Sequence, residues 1–231
     1  MRLPRSCLRL ALAVSIAAAA AAALAQPIAF NGNGATFALP VKPHKSAAFD
    51  ATVQQQFDFS CGSAALATLL TFHYGAPTSE QIAFAAMLEQ GDAEKIRVEG
   101  FSMLDMKRYL ATLGFESDGF EQPLESLLEA RIPAIVLVTD NGYNHFVVVK
   151  GLRDGRVLVG DPSSGVRLMT RQRFESLWKN RVLFVIHNRQ DQASFNTAAD
   201  WHGAPLAPMS EGVVRATMQA ITIPRMGPGE F

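Results

Sequence analysis

Two spacings of hydrophobic residues divide the chain. From residue 61 to about 131, apolar positions recur at helical intervals; from 133 to 188 they gather in short Val-rich runs bounded by turn residues. In "SAALATLLTFHY", Ala64, Leu66, Leu69, Leu70 and Phe72 are distributed around most of a helix. That predicts a buried helix over 62–74, stopped by Gly75 and Pro77. "TSEQIAFAAMLEQG" reads as a second helix, with Thr78 and Gln81 as a capping box and Gly91 at its end. "SMLDMKRYLATLG" is a third, capped by Ser102 and closed by Gly114, and "PLESLLEARI" is a short fourth. The runs "PAIVLVT", "HFVVVKGL", "RVLVGD" and "RVLFVIHN" read as strands, with Asp154-Gly155 as a hairpin turn and "TRQRFESLWKN" as a helix before the last of them. Helices first and an antiparallel meander afterwards indicate an α+β domain, not a doubly wound parallel sheet.

The flanks follow other patterns. Residues 26–47 are expected to be extended and irregular, with "NGNG" as a turn signal and Pro40 and Pro43 discouraging helix. Beyond residue 188 the periodicity weakens; "MSEGVVRATMQAI" is the one helix expected there, and "GPGEF" a loose end. At the other terminus, "MRLPRSCLRL" carries Arg2, Arg5 and Arg9 without an acid, and an Ala-rich run ends in Ala23-Leu24-Ala25. This is the form of a secretory signal peptide over 1–25, cleaved before Gln26. An uncleaved membrane anchor is the alternative, against which the run is short and mostly Ala. The expected division is therefore a signal peptide (1–25), an extended segment (26–47), a folded domain (48–188) and a C-terminal extension (189–231), with the mature protein periplasmic or secreted.

Composition agrees with one globular domain: 231 residues, 48% hydrophobic and 18% charged. Lys+Arg and Asp+Glu are both 21. Nothing in that balance suggests a nucleic-acid surface or a polybasic membrane patch. Cleavage would remove three arginines, leaving 18 basic residues against 21 acidic, a net of −3.

Cleavage would also remove Cys7 and leave Cys61 as the sole cysteine. In an oxidising compartment an unpaired thiol is either a small buried hydrophobe or a reactive group. Cys61 falls at the start of the first helix, where free N–H groups and the macrodipole favour thiolate. Of the five histidines, His44 lies in the Pro-flanked segment, His73 in the buried helix, His187 at a strand end and His202 in the tail. His145 opens the strand "HFVVVKG", where a side chain can point into a cleft. Asp161 ends "RVLVGD" across the hairpin, at the same end of the neighbouring strand, where it can orient an imidazole. Taken singly, His145 reads as well as a packed histidine, Asp161 as a turn residue and Gln55 as a surface residue.

Taken together, "Q-x5-CG-x-AAL", "HFVVV-x-G" and "GDP" after a hairpin resemble the C39 family of papain-like cysteine peptidases, which cut leader peptides after a double glycine. The resemblance spans about 50–187. It implies a papain-like fold, with Cys61 as nucleophile, His145 as general base, Asp161 as the residue that orients it, and Gln55 as an oxyanion donor between Gln54 and Gln56. One departure is Ser60, where the family commonly has Asp. "GDPSSGVR" lacks the Lys and Ser/Thr of a phosphate loop, so neither ATP nor another cofactor is expected, and no His, Cys, Asp or Glu spacing suggests a metal. The sequence is thus expected to encode a stand-alone, exported cysteine endopeptidase. Its client would be a peptide or protein in the envelope, cut after Gly-Gly or handled with the components of a secretion system; the stretch around Cys61 looks closest to the functional-amyloid (Fap-type) subgroup. A non-hydrolytic client-binding module is the alternative, against which Cys61 is retained. Acyl transfer would use the same triad.

Overall fold

The helix that opens the domain is apolar nearly all round, and this sets the architecture. The computed structural model describes residues 28–32, 35–39, 48–140 and 142–202. Helix α1, Cys61–His73, buries eleven of its thirteen residues, as expected of a helix enclosed on all sides. Helices α2 (Glu80–Gln90), α3 (Ala93–Glu99) and α4 (Met103–Thr112) follow. The cap of α2 is Ser79, whose side chain accepts from the Ile82 N–H, rather than the expected Thr78; the Thr78 hydroxyl instead donates to Ala76 O. Ser102 caps α4 in a full capping box with Asp105.

The chain then builds a six-stranded antiparallel sheet. Its strands are β3 (Ser117–Glu121), β4 (Ala134–Asp140), β5 (Tyr143–Arg153), β6 (Arg156–Asp161), β7 (Gly165–Thr170) and β8 (Val182–Ile186), with α5 (Glu125–Ala130) and α6 (Arg171–Leu177) inserted. The spatial order is β3-β8-β4-β5-β6-β7. Asp154 and Gly155 both take positive φ, 50° and 69°, the requirement of a tight type I′ hairpin turn. Between residues 48 and 188, three elements lie outside the sequence-based expectation: α3, β3 and β7. The α+β class is as expected.

Both faces of the sheet are covered, so β5 reads as a continuous apolar run rather than an alternation. Phe146 and Val148 face α1, α2 and α4 in one core. Val147 and Val149 join Leu124, Leu127, Phe174 and Trp178 in the other. Among the described residues no helix is long and apolar enough to cross a membrane.

Past β8 the chain forms a strap that returns to the domain. After a short 3-10 turn, Gln190–Gln192, Ser194 N–H donates to His73 O, and Asn196 N–H to Lys150 O. Helix α7, Ala198–His202, brings Asp200 to within 3.2 Å of the fully buried Lys150 ammonium, which also donates to Ala51 O. The strap crosses β5 at Gly151, beside a shift in register; a Cβ there would lie 2.7 Å from Asn196 Oδ1 and 3.3 Å from Asn196 Cα, so the close approach favours glycine.

The chain divides into two compact units, 1–47 and 48–231. In the first, strands β1 (Ile28–Gly32) and β2 (Ala35–Leu39) pair antiparallel, so the segment expected to be irregular contains a two-stranded sheet. The expected signal peptide, His44, and the helix expected within 209–221 lie outside the described residues.

Candidate active site

Cys61 is the first residue of α1 and only 7% exposed. The preceding loop turns back so that Ser60 takes the N-cap position without a side-chain cap bond. The thiol borders a cavity of about 790 Å³ between the loop at Asp58–Phe59, the α3–α4 junction and the mouth of β5. Three backbone N–H groups face the sulfur, those of Phe146, Gly62 and Cys61 itself. The helix start thus offers the donors the sequence suggested. Their effect is nevertheless outweighed: burial pushes the Cys61 thiol above its ordinary value, the N–H groups pull it back only in part, and the Asp161 charge raises it further. The expectation of a thiol poised as thiolate is therefore corrected, because a sulfur covered by protein loses the water that would solvate its charge.

His145 and Asp161 are brought together. Val148 pairs with Gly160, which sets Asp161 across from Val147 and makes His145 its diagonal neighbour on the same sheet face. Asp161 Oδ2 lies 3.4 Å from His145 Nε2 and accepts from Arg167 Nη1 at 3.1 Å. Oδ1 accepts from Ser163 N–H at 2.8 Å and Ser163 Oγ at 2.6 Å. Burial alone would raise this carboxyl, but the hydrogen bonds from His145 and Ser163 and the electrostatics of the nearby ring overcome it, holding Asp161 well below the usual carboxylate range. A carboxylate only accepts, so the proton of a neutral His145 belongs on Nε2. That leaves Nδ1 with the lone pair, and Nδ1 is buried without a hydrogen-bond partner.

Thiol and imidazole share no hydrogen bond here. His145 stands on the face that holds Asp161, whereas Phe146, next in the strand, packs with Cys61. Tyr143 shows where the two sides meet: its ring stacks on His145, centroids 5.9 Å apart, and it also borders the Cys61 cavity. Its hydroxyl donates to Asp58 O at 2.6 Å, linking the strand mouth to the loop before the thiol.

Gln55 is half-buried while Gln54 and Gln56 are exposed. Its N–H donates to Pro162 O at 3.0 Å, which ties it to the Asp161 corner, and its side-chain amide donates to Phe57 O at 3.1 Å. One amide hydrogen remains for another acceptor. Two other described histidines are engaged elsewhere: His73 Nδ1 meets Ser194 O and His187 Nε2 meets Asp118; His202 is the last residue of α7. Reading the sequence missed Arg167 and Tyr143. Both follow from period-two counting once β7 and the start of β5 are known to be strands.

A thiol at the head of a buried helix, a histidine at a strand mouth and an aspartate beside it are the group types that the sequence singles out. The family model described as the Peptidase C39 family matches residues 50–190. The chain belongs to the peptidase C39 family. The C39 domain has the expected papain-like arrangement, helices first and packed on an antiparallel sheet. Among its relatives, the probable functional amyloid protease FapD of Pseudomonas aeruginosa is 40% identical over 166 residues, 72% of this chain and 73% of that one. FapD of Pseudomonas fluorescens is 37% identical over 194 residues, 84% of each chain. The lactococcin-G-processing and transport ATP-binding protein LagD of Lactococcus lactis subsp. lactis is 27% identical over 135 residues, 57% of this chain and 18% of that protein. C39 membership and these relatives support a peptidase role.

Proposed function

We propose that the protein is an exported cysteine endopeptidase that cuts a peptide or protein client in transit through the cell envelope. The observation that carries this reading is the state of His145. Asp161 holds one ring nitrogen, and the other is buried with no partner, one residue from the N–H that faces the Cys61 sulfur. Leaving such a nitrogen unpaired costs about 1–3 kcal/mol; His73 Nε2 is unpartnered in the same way, so what singles out His145 is the Asp161 contact on its other nitrogen and its place next to Phe146, whose N–H faces the sulfur.

In this reading the resting thiol is neutral. As the client's scissile carbonyl enters the cavity, Cys61 Sγ attacks its carbon and the thiol proton passes to His145 Nδ1. The developing oxyanion is met by the Cys61 N–H and the free hydrogen of the Gln55 amide. The tetrahedral intermediate collapses, the amine leaves with the proton from Nδ1, and water hydrolyses the thioester by the same route. Asp161 steadies the imidazolium throughout. Bonds between catalytic groups that are loose without substrate tighten when it binds.

The names of the two FapD relatives support an amyloid-type secreted client, and the name of LagD supports a role beside an export system. Cleavage after Gly-Gly is the narrower form of the proposal and rests on the family resemblance. Export rests on the Arg-flanked, Ala-rich start and its small-x-small end. The second reading, a client-binding module that does not cut, is favoured by the raised thiol and by the missing thiol–imidazole bond.

Incubating the mature protein with the secreted proteins of its own strain decides between them. New termini found by mass spectrometry that vanish with Cys61→Ala support the peptidase. Correctly processed client in a Cys61→Ala strain refutes it. N-terminal sequencing of the envelope form should give Gln26 or a close neighbour, and Met1 would overturn export by cleavage.

A further inference from the structure

We infer that Glu80 is a positioning residue for the nucleophile, setting the loop from which Cys61 emerges. The inference rests on the cysteine peptidase reading and adds to it a residue from a different helix.

Glu80 begins α2 and is 3% exposed. It lies in the first turn of an eleven-residue helix, at the positive end of the helix dipole. Its Oε1 accepts from Gln56 N–H at 2.9 Å and from the Ser60 hydroxyl through a short hydrogen bond. Residues 56 and 60 are the two ends of the loop that leads into Cys61, so one oxygen atom holds both. Inside the loop, Phe57 N–H donates to Ser60 Oγ and Ser60 N–H to Phe57 O, each at 3.1 Å. The result is a closed ring of hydrogen bonds with Glu80 as its outside anchor.

Ser60 supplies an independent observation. A serine at an N-cap normally turns its oxygen onto the helix N–H groups. Ser60 occupies the N-cap of α1 and makes no such bond. Its hydroxyl points away from the helix, to Glu80 Oε1 with Phe57 O as a second acceptor at 2.8 Å, which leaves the Gly62 N–H free to face the sulfur. The same net fixes Gln56, the neighbour of Gln55. Glu80 therefore governs the placement of the thiol and of the amide proposed for the oxyanion at once, without touching either.

A displacement of this loop by about 1 Å would cost up to roughly a hundredfold in rate. It would also uncover the sulfur. Catalysis and thiol accessibility should consequently move in opposite directions. The experiment follows Ser60→Ala, Glu80→Ala, the double variant and Glu80→Gln in the full-length protein. It records kcat and KM on the client identified through Cys61, iodoacetamide alkylation of Cys61, and Tm. Ser60→Ala and Glu80→Ala are expected to lower kcat by roughly tenfold or more with little change in KM, and to speed alkylation several-fold. The double variant should be no worse than Glu80→Ala alone, because both cut one chain of bonds. Glu80→Gln keeps the acceptor oxygen and should recover most of the loss. Wild-type kcat and alkylation in Ser60→Ala overturn the inference, whether or not Glu80→Ala folds. So does a Glu80→Ala protein in which kcat and alkylation fall together with Tm, since that marks a packing role. Cleavage that persists in Cys61→Ala refutes the peptidase reading itself, a result separable from any of these.

Discussion

Replacing Asp161 with asparagine tests the hydrogen-bond logic of the site with one atom changed. The carboxylate accepts four bonds: two from Ser163 on Oδ1, and those from Arg167 and His145 on Oδ2. An asparagine accepts on one oxygen only. If its oxygen faces Ser163, its NH₂ faces Arg167, which swings into solvent, and His145, which must then offer a lone pair. The imidazole proton moves to Nδ1, and the nitrogen needed as base is lost. A wrong tautomer of this kind is worth about 10⁴ in kcat in the serine-protease triad, and a loss of 10³ or more is expected here. Two bonds to a buried charge disappear as well, at about 1.5–3 kcal/mol each, so the variant should be less stable near neutral pH.

The pH dependence has a fixed sign. The folded-state carboxyl is depressed, so its stabilisation is complete above the ordinary carboxylate value of 3.8 and fades as pH falls below it. The stability gap between wild type and Asp161→Asn should narrow below pH 4. Asp161 also raises the Cys61 thiol, so alkylation of the variant at neutral pH should quicken while turnover collapses. Turnover of the client, thermal melts from pH 3 to 7 and iodoacetamide kinetics measure all three effects. Turnover within a few-fold of wild type would refute the assignment of the base to Nδ1.

Three further outcomes are expected. In the wild-type protein the alkylation of Cys61 should titrate above ~8.5, the value of a free cysteine, because burial dominates; a midpoint below it would mean that a thiolate–imidazolium pair exists at rest. Gln55→Ala should lower kcat by about 10²–10³ if its amide meets the oxyanion, with Gln54→Ala and Gln56→Ala near wild type; equal losses at all three would assign them to the surface. His73 is held down to about 4 by burial, with the Lys150 charge adding to it, so the unfolded chain takes up a proton that the folded one refuses. Melting temperature should therefore fall as pH drops from 6.5 toward 4, and His73→Gln should flatten that part of the curve; an unchanged slope would place the acid sensitivity elsewhere.

What could be read from the sequence follows from how each signal is carried. Helix α1 was legible because its apolar residues and its Gly75 stop are local, and Cys61 at its head came with it. The His145–Asp161 pair was legible because Asp154-Gly155 fixes the hairpin that aligns the two strands. Strand β3, "SDGFE", has little strand propensity of its own and exists as an edge through pairing with β8. Helix α3, "AEKIRVE", buries only Ile96 and so leaves almost no periodic trace. Glu80 reads as an ordinary first-turn acid; only the fold brings it to a serine twenty positions earlier. The raised thiol was illegible for a related reason, since helix-start donors are visible in sequence and the covering of a sulfur is not.

The strap over β5 bears on where this domain ends. The family match stops at residue 190, but Asp200 supplies the counter-charge of Lys150, which has no exposure to water. A chain shortened to the matched residues would lose this counter-charge and keep Ala51 O as the hydrogen-bond acceptor of the ammonium. Wherever the ammonium stays covered, an unpaired charge of this kind costs several kcal/mol to keep. The amine would surrender its proton, toward which burial already inclines it, or β5 would part from its surroundings to admit water. His145 lies on that strand, five residues away. The length that inheritance marks out is therefore shorter than the length that pairs the charge on β5, and the difference is set by a single lysine.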